Sequence, residues 1–357
     1  MTRPTAIQIN LDNLRFNTGQ ARILANGRKL MATVKADAYG HGILPCTEAM
    51  SGLVDALAVA YCDEAIALRE NGYQGKLLVL EGPFNSQDAQ QITDLQLDTV
   101  IHTTEQIDLL APLDSRRLQL WLKLDSGMHR LGFSADQLED AKAQISSLGF
   151  SKPVIMTHLA QAESPEAALT RRQLDNWKTT ETSGMASSLL NSSGIATKLD
   201  AASDWLRPGY MLYGGAVTPD IDLKPVMRFS SQVIAIRDIP AGDVVGYGGT
   251  WQASRSSRIA TVAAGYADGY PRSARSGTPV WVEGQICPLV GRVSMDLITV
   301  DITDHPKAGM GSPVVLWGPE LAIDNVAKHA DTIGYELMTR IPNRVPRTWM
   351  GSEQRDI

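Results

Sequence analysis

The chain has 357 residues, of which 43% are hydrophobic and 20% are charged, ordinary proportions for a globular protein of about two domains. Its net charge of −6 argues against nucleic-acid binding driven by electrostatics, and no apolar stretch approaches the roughly 20 residues of a membrane span. The N-terminal segment has no long apolar core, so we expect no signal peptide. The cysteines, Cys46, Cys62 and Cys287, are scattered, as is typical of free thiols. We therefore expect a cytoplasmic protein that binds neither nucleic acid nor membrane.

The N-terminal part of the chain, residues 1–225, predicts an α/β fold. In a representative unit, a buried strand at 55–60 is followed by a helix at 64–71, which Asp63 would cap, and by a strand at 76–80. Further helices are predicted at 11–26, 134–148 and 165–183. Strand-like runs lie at 30–35, 55–60, 76–81, 98–102, 118–124, 153–159, 187–191 and 205–213. Eight such strands favour a (β/α)8 TIM-type barrel, and a doubly wound open sheet is the alternative.

The pattern changes near residue 226. The segments 231–237, 278–282 and 296–301 alternate between apolar and polar residues and are separated by glycine and proline turns. Only 323–330 and 335–340 are predicted to be helical. We therefore expect a second, mainly β domain over 226–357, against which the first few residues of the chain are able to pack.

Polar side chains end five of the eight predicted barrel strands. Each has a plain structural explanation: a strand-end lysine can be a solvated cap, a lone histidine a satisfied core residue, and Asn-Ser-Ser-Gly a turn. Their number favours a functional site, because the active site of such a barrel lies at the C-terminal ends of its strands. The residues are Lys35, Lys123 with Arg130 after it, His158, Asn191 with Ser192, and Arg207 with Gly209 and Tyr210.

The chemistry of these residues matches pyridoxal 5′-phosphate (PLP). A lysine removed from water becomes a nucleophile that can form a Schiff base. A serine and backbone N–H groups beside glycine turns can hold a phosphate, and an arginine can face a pyridine nitrogen. The chain has no Cys/His set with zinc spacing, no Walker loop and no G-x-G-x-x-G after a strand, so we expect no metal and no dinucleotide.

With these residues assembled, the chain resembles the alanine racemase family, fold type III PLP enzymes in which a barrel precedes a β domain. The resemblance runs nearly end to end, and the length and GRVSMD form are most similar to the catabolic isozyme type. Its motifs are VKADAYGHG at 34–42, LKLDSGMHRLGF at 122–133, RPGYMLYG at 207–214, GYGGTW at 246–251, AAGYADGYPR at 263–272, GRVSMD at 291–296 and RVPR at 344–347.

The resemblance implies a homodimer with shared active sites and a role for each matching residue. Lys35 would bind PLP covalently and act as the base for D-alanine, and Tyr247 from the other subunit would be the base for L-alanine. Lys123 would be carbamylated, and the resulting anion would orient Arg130. PLP would be bound by Tyr39, His158, Asn191, Ser192, Arg207, Gly209 and Tyr210, the substrate by Arg130, Tyr266, Met295 and Asp296, and the entrance would be lined by Arg272 and Arg292.

Two bases suit racemisation, because a proton leaves one face of Cα and returns on the other. Holding tyrosine as phenolate at pH 7 costs roughly 4 kcal/mol unless its pKa is lowered. We expect a neighbouring His158, linked onward to Arg207, to lower the pKa of this tyrosine.

Three alternatives remain at the level of sequence. Relatives often have a tyrosine just before RVPR that narrows the entry, whereas this chain has Asn343, so serine or another small amino acid could enter. A broad-spectrum racemase of the same fold is a second enzyme reading, although such relatives tend to be exported and to lack the modified lysine. A non-enzymatic PLP-carrying homeostasis protein is the third, but those proteins end after the barrel.

Overall fold

The computed structural model describes residues 3–114, 117–180, 182, 184–215, 218 and 220–351. Strand β1 (Ala6–Asn10) and helix α1 (Leu11–Ala25) lead into a sheet of eight parallel strands. These strands are β2 (Lys29–Thr33), β3 (Ala56–Val59), β4 (Leu77–Val79), β5 (Asp98–Ile101), β6 (Leu120–Lys123), β7 (Val154–Met156), β8 (Ser187–Ser188) and β9 (Trp205–Leu206).

Helices follow most of these strands and cover the outside of the sheet. They are α2 (Lys35–Gly40), α3 (Ile43–Ala49), α4 (Cys62–Glu70), α5 (Ser86–Asp94), α6 (Thr104–Leu110), α7 (Ala135–Ser147), α8 (Ala168–Lys178) and α9 (Ser192–Ala196). Helix α7 begins at a capping box in which Ser134 and Gln137 exchange side-chain and backbone hydrogen bonds, as the Ser-x-x-Gln pattern predicts.

The eight strands form the expected barrel. Their order is β8-β7-β6-β5-β4-β3-β2-β9, and the gap between β8 and β9 is bridged by a 2.9 Å hydrogen bond from Arg207 N–H to Leu190 O. Side chains fill the interior, where the rings of Trp121 and Trp205 meet edge to face at 5.5 Å. The barrel prediction is confirmed and the open sheet is excluded, because an open doubly wound sheet does not bring its first and last strands together.

The remainder of the chain forms a mainly β domain. Its strands are β10 (Met227–Ile239), β11 (Val244–Val245), β12 (Trp251–Gln252), β13 (Ser257–Val262), β14 (Pro279–Val282), β15 (Gln285–Pro288), β16 (Ile298–Asp301), β17 (Pro313–Trp317) and β18 (Arg347–Met350). Helices α10 (Ile323–His329) and α11 (Gly334–Thr339) precede β18. Strand β1 pairs with β10 and β18, so the first strand of the chain belongs to the sheet of this domain.

Several predicted boundaries were wrong. The first barrel strand ends at Thr33, so Lys35 lies in the turn after it. The last strand is only Trp205–Leu206, since Pro208 has no N–H for the ladder and a 3-10 helix follows at Tyr210–Tyr213. Helix α4 begins one residue before Asp63, which lies in its first turn and is not its cap. The predicted end of the helix at residue 183 lies outside the described residues.

In the part of the chain that the structure describes, no helix combines the length and the apolar character that crossing a membrane requires.

Candidate active site

A cavity of about 530 Å³ opens where the barrel strands end. It brings together ten residues that the sequence indicated, although these end or follow five different strands of the barrel. They are Lys35, Tyr39, Lys123, Arg130, His158, Asn191, Ser192, Arg207, Gly209 and Tyr210. The sequence prediction therefore selected residues that share one space.

Lys35 enters this cavity from a left-handed turn. Residues 36–39 all have φ between 52° and 54°, a conformation that costs roughly 1–2 kcal/mol for each non-glycine residue. Hydrogen bonds hold the turn: Ala36 N–H donates to Glu64 at 2.5 Å, and Ile43 N–H donates to Asp37 at 2.7 Å. The turn keeps Lys35 and Tyr39 in the same cavity although they are four residues apart.

The side chain of His41 also stabilises this turn. Its buried ring stacks on Tyr213 at 4.6 Å, and its Nδ1 lies 2.9 Å from the carbonyl oxygen of Tyr39. Since a carbonyl only accepts, Nδ1 carries the proton. Burial, together with the charge of Arg347, lowers the pKa of His41 to about 4, so the ring is neutral at physiological pH.

Lys123 and Arg130 are positioned by a loop that closes on the end of β6. Phe133 N–H donates to the carbonyl of Lys123 at 2.8 Å, and the Asp125 carboxylate accepts the N–H groups of residues 127–129. Burial lowers the pKa of Lys123 to about 8, with a further lowering by the charges of Arg130, Arg207 and Lys35 against an opposing effect of Glu81. An appreciable fraction of this amine is therefore neutral near pH 7, as addition of carbon dioxide requires.

His158 is held through its backbone by buried Gln173. The Gln173 amide donates to the His158 carbonyl at 3.0 Å, and its side-chain oxygen accepts Ala160 N–H at 2.9 Å. Burial, followed by the charges of Arg207 and other cations of the cavity, lowers the pKa of His158 to about 3. The ring is thus neutral, and its link to Arg207 is electrostatic, since no hydrogen bond joins the two described side chains.

Arg207 is a buried cation. Its guanidinium donates to Ser188 Oγ and, at 2.7 Å, to the carbonyl of Thr157, and it forms no ion pair with a carboxylate among the described residues. Burial lowers its pKa to about 10, which leaves it charged at neutral pH. Because a buried charge is costly without an electron-rich partner, this group is suited to a pyridine nitrogen or an anion facing it.

Ser192, Gly209 and Tyr39 form a polar cradle. Ser192 Oγ accepts the backbone N–H groups of Gly209 at 2.9 Å and of Met211 at 3.3 Å. The hydroxyl of Tyr39 lies against Gly209, where a Cβ atom would stand 2.5 Å from it. Serine, tyrosine and main-chain donors with no formal charge are groups that bind phosphate, so the cavity fits both the ring and the phosphate of PLP.

The side chain of Tyr210 points away from this cradle. Its hydroxyl donates to Asp324 Oδ1 at 2.7 Å, and burial is the main cause that raises its pKa above the ordinary value. The predicted contact between Tyr210 and a phosphate is therefore left to the backbone N–H, which has no partner among the described residues.

Sequence reasoning missed several cavity residues. Glu81 follows β4, and the strand-end argument could have found it; its carbonyl accepts from His102 and Gln106 at 3.1 Å and 3.0 Å. Nothing in the local pattern marked the residues that the C-terminal domain contributes, Ile333, Tyr335, Glu336 and Thr339. Asn343 is exposed and is not one of the residues that line the cavity.

The other predicted site residues belong to the C-terminal domain and do not line this chain's own cavity. Tyr247 is 69% exposed, and a Cβ on neighbouring Gly248 would lie 3.7 Å from the Arg292 guanidinium. The backbone of Tyr266 is hydrogen-bonded to Ser294 at 3.0 Å, beside Met295, which is 54% exposed. Asp296 is paired with Arg344 at 2.6 Å, and Arg272 is exposed.

No group of three or more His, Cys, Asp or Glu in the described ranges could hold a metal ion.

Comparison with known proteins agrees with this geometry. Models of the alanine racemase N-terminal and C-terminal domains match residues 9–217 and 226–349. An alanine racemase from Chromohalobacter salexigens is 46% identical over 99% of this chain and 100% of its own length. The crystal structure of a biosynthetic alanine racemase from Pseudomonas aeruginosa is 41% identical, with a TM-score of 0.93 over 98% of this chain and 100% of that one. The chain therefore belongs to the alanine racemase family of PLP-dependent isomerases.

Proposed function

We propose that two copies of this chain form an enzyme that interconverts L-alanine and D-alanine with PLP as its cofactor. The observation that carries the proposal is the cavity in which Lys35 meets the buried Arg207 guanidinium and the cradle around Ser192. When bound, PLP supplies an aldehyde that reacts with amines and a ring that withdraws electrons from the Cα of an attached amino acid.

The residues of the chain would divide the remaining work. Lys35 would hold the cofactor and, once substrate displaces it, take or return the Cα proton of D-alanine. Ser192, Tyr39 and the N–H of Tyr210 would bind the phosphate. Arg207, which stays charged, would not readily give a proton to the pyridine nitrogen, so the bound ring would withdraw electrons less strongly and racemisation would be favoured over transamination.

Substrate binding would involve the cations of the cavity. Arg130 would meet the substrate carboxylate, because a guanidinium can bind a carboxylate through two parallel hydrogen bonds. Carbamylation would turn the side chain of Lys123 from a cation into an anion, and this anion would hold Arg130 in place. The partially neutral state of Lys123 supports this, since only a neutral amine adds carbon dioxide.

The second base would come from a partner subunit. Tyr247 is exposed and does not line the cavity of its own chain, although racemisation needs a base on the opposite face of Cα. The exposed residues Tyr247, Tyr266 and Met295 would enter the partner's cavity, where Asp296 would lie beside the substrate and Arg272 and Arg292 near the entrance. His158, neutral and close to the cations, would face Tyr247.

Alanine is the proposed substrate, and the D-isomer would serve cell-wall synthesis or alanine catabolism. A broader specificity for small amino acids such as serine is the second candidate, favoured by the position of Asn343 outside the cavity wall. The test is the rate of racemisation of alanine, serine, lysine and arginine by the purified enzyme, with Lys35→Ala as the control. We expect alanine to react fastest and the control to be inactive. Faster turnover of lysine or arginine would contradict the proposal.

A further inference from the structure

Tyr335 of the C-terminal domain forms part of the cavity wall, although the proposed mechanism gives it no role. Its ring is stacked on that of Tyr210, with centroids 3.9 Å apart and planes inclined by 10°. It also lies 6.0 Å from the ring of Tyr39. Tyr335 therefore stacks on Tyr210 and lies beside Tyr39, which is part of the polar cradle.

Tyr210 is fixed on three sides by the segment from α10 to α11. Its hydroxyl donates to Asp324 at 2.7 Å, and its ring face is covered by Tyr335. Gly334 forms the third side, where the backbone approaches closely: a Cβ at that position would stand 1.8 Å from the Tyr210 hydroxyl. No side chain larger than hydrogen fits there while Tyr210 keeps its place.

The contacts that Asp324, Gly334 and Tyr335 make with the Tyr210 side chain also restrict the backbone that faces the cradle. Tyr210 begins the 3-10 helix that follows Gly209, and the N–H groups on either side of it, those of Gly209 and Met211, donate to Ser192. A side chain immobilised by stacking and by a hydrogen bond restricts the peptide units to which it is attached. The position of Tyr335 therefore influences the direction in which the Tyr210 N–H points.

We propose that Tyr335 is a positioning residue for cofactor binding. Through the ring of Tyr210 it holds the Tyr210 N–H in the orientation that a phosphate requires, so the C-terminal domain governs how tightly the barrel retains PLP. This inference rests on the proposed function, in that the cradle is taken to bind the phosphate of PLP. The ring of Tyr335 carries the effect, and its hydroxyl does not.

The experiment compares two ligands that differ only in the phosphate. The full-length protein is freed of cofactor and titrated with PLP and with pyridoxal, and binding is followed by absorbance. For Tyr335→Ala we expect the Kd for PLP to rise about tenfold and the Kd for pyridoxal to change less than twofold. Tyr335→Phe, which keeps the ring, should bind both ligands as the unaltered protein does.

A matched control removes a similar ring elsewhere. Tyr73 is also partly buried and packs on Arg69 at 5.7 Å, but it precedes β4 and so lies at the opposite end of the barrel. Tyr73→Ala should lower the thermal stability without changing the ratio of the two Kd values. If Tyr335→Ala weakens PLP and pyridoxal equally, or weakens neither, the positioning role is wrong.

Two further variants keep the inference testable if Tyr335→Ala folds poorly. Gly334→Ala leaves both rings in the chain and displaces Tyr210, so it should produce the same selective loss of PLP affinity. Tyr210→Leu retains the backbone N–H but removes the ring on which Tyr335 stacks. In this background, Tyr335→Ala should raise the Kd for PLP by less than twofold. If Tyr335→Ala raises the Kd for PLP as much in the Tyr210→Leu background as it does alone, the inference is wrong. Failure of the unaltered protein to bind PLP would instead contradict the proposed function.

Discussion

The hydroxyl of Tyr39 lies so close to Gly209 that a Cβ atom at position 209 would stand 2.5 Å from the oxygen. Tyr39 comes from the left-handed turn after the first barrel strand, and Gly209 follows the last. Their contact therefore joins the loops that follow the first and last barrel strands, at the cradle that Ser192 completes.

Replacement of Gly209 by alanine should weaken cofactor binding. The methyl group of alanine would stand 2.5 Å from the Tyr39 hydroxyl, so it must displace Tyr39 from the cradle. We expect the Kd for PLP to rise by roughly tenfold, the equivalent of about 1.4 kcal/mol. Titration of cofactor-free protein with PLP measures it.

Gly19→Ala is the matched control for this substitution. Gly19 lies inside α1, and a Cβ there would meet nothing within 4 Å. Alanine in a helix interior is favoured over glycine by roughly 1 kcal/mol, so this variant should be slightly more stable with unchanged PLP affinity. Equal PLP affinity of Gly209→Ala and Gly19→Ala would show that the cradle does not bind the cofactor.

The protein should lose stability in mild acid because His41 is buried in the neutral form. Its pKa is lowered to about 4, mainly by burial, whereas an unfolded histidine titrates near 6.5. The unfolded state therefore binds more protons between these values, and the contribution to stability, complete above pH 6.5, is lost as the pH falls towards 4. The loss amounts to roughly 3 kcal/mol.

Urea unfolding between pH 7.5 and pH 4.5 checks this prediction. His158, whose pKa is lowered to about 3, acts in the same direction. The variant His41→Asn should be less stable at pH 7.5 but should depend less steeply on pH between 6.5 and 4.5. A slope identical to that of the unaltered protein would mean that His41 is not buried as a neutral ring.

Lys123 should take up carbon dioxide. In this step the neutral amine attacks the carbon atom of carbon dioxide, forms a C–N bond and releases a proton to solvent. With a pKa of about 8, roughly a tenth of the amine is neutral at pH 7. Protein equilibrated with ¹³C-bicarbonate should show a carbamate signal in the ¹³C NMR spectrum that is absent in Lys123→Met. A signal that persists in this variant would place the modification elsewhere.

Tyr247→Phe should abolish removal of the Cα proton from one enantiomer only. Without the phenol, removal of the Cα proton from L-alanine should slow by at least about a hundredfold, while Lys35 continues to exchange the Cα proton of D-alanine. Incubation of each enantiomer in D₂O, followed by mass spectrometry, separates the two steps. Equal exchange from both enantiomers would contradict the two-base account.

Mixing of two inactive variants tests whether the active sites are shared. If Tyr247 acts in the partner subunit, Lys35→Ala and Tyr247→Phe chains should recover activity together, because one of the two sites in the mixed dimer carries both bases. The control is each variant incubated alone. No recovery after subunit exchange has been verified would mean that Tyr247 does not act across subunits.

The sequence was sufficient for the barrel and for most of its cavity because both depend on local patterns. Uninterrupted apolar runs mark strands covered on both faces, and the polar residues at their ends meet wherever a barrel closes. Lys35, His158 and Arg207 could therefore be grouped without knowledge of any distance. The left-handed conformation of residues 36–39 could not be predicted, because alanine and tyrosine rarely adopt it and only Asp37 has some preference for it.

The contribution of the C-terminal domain was beyond local reasoning. Tyr335 lies in a short helix more than a hundred residues after Tyr210, and only the packing of the two domains brings their rings together. The direction of the Tyr210 side chain, towards Asp324, likewise depends on a contact between domains. Motif resemblance named Tyr210 as a phosphate contact and gave no indication of which of its atoms is involved.

The central claim is that Lys35 carries PLP covalently. The most direct measurement is the absorbance spectrum of the purified protein before and after reduction with borohydride, followed by mass spectrometry of its peptides. The account predicts that reduction abolishes the visible band of the lysine-bound cofactor and leaves a pyridoxyl group on the peptide that contains Lys35. Recovery of that group on Lys123 or on any other lysine, or protein that binds no PLP, would contradict it.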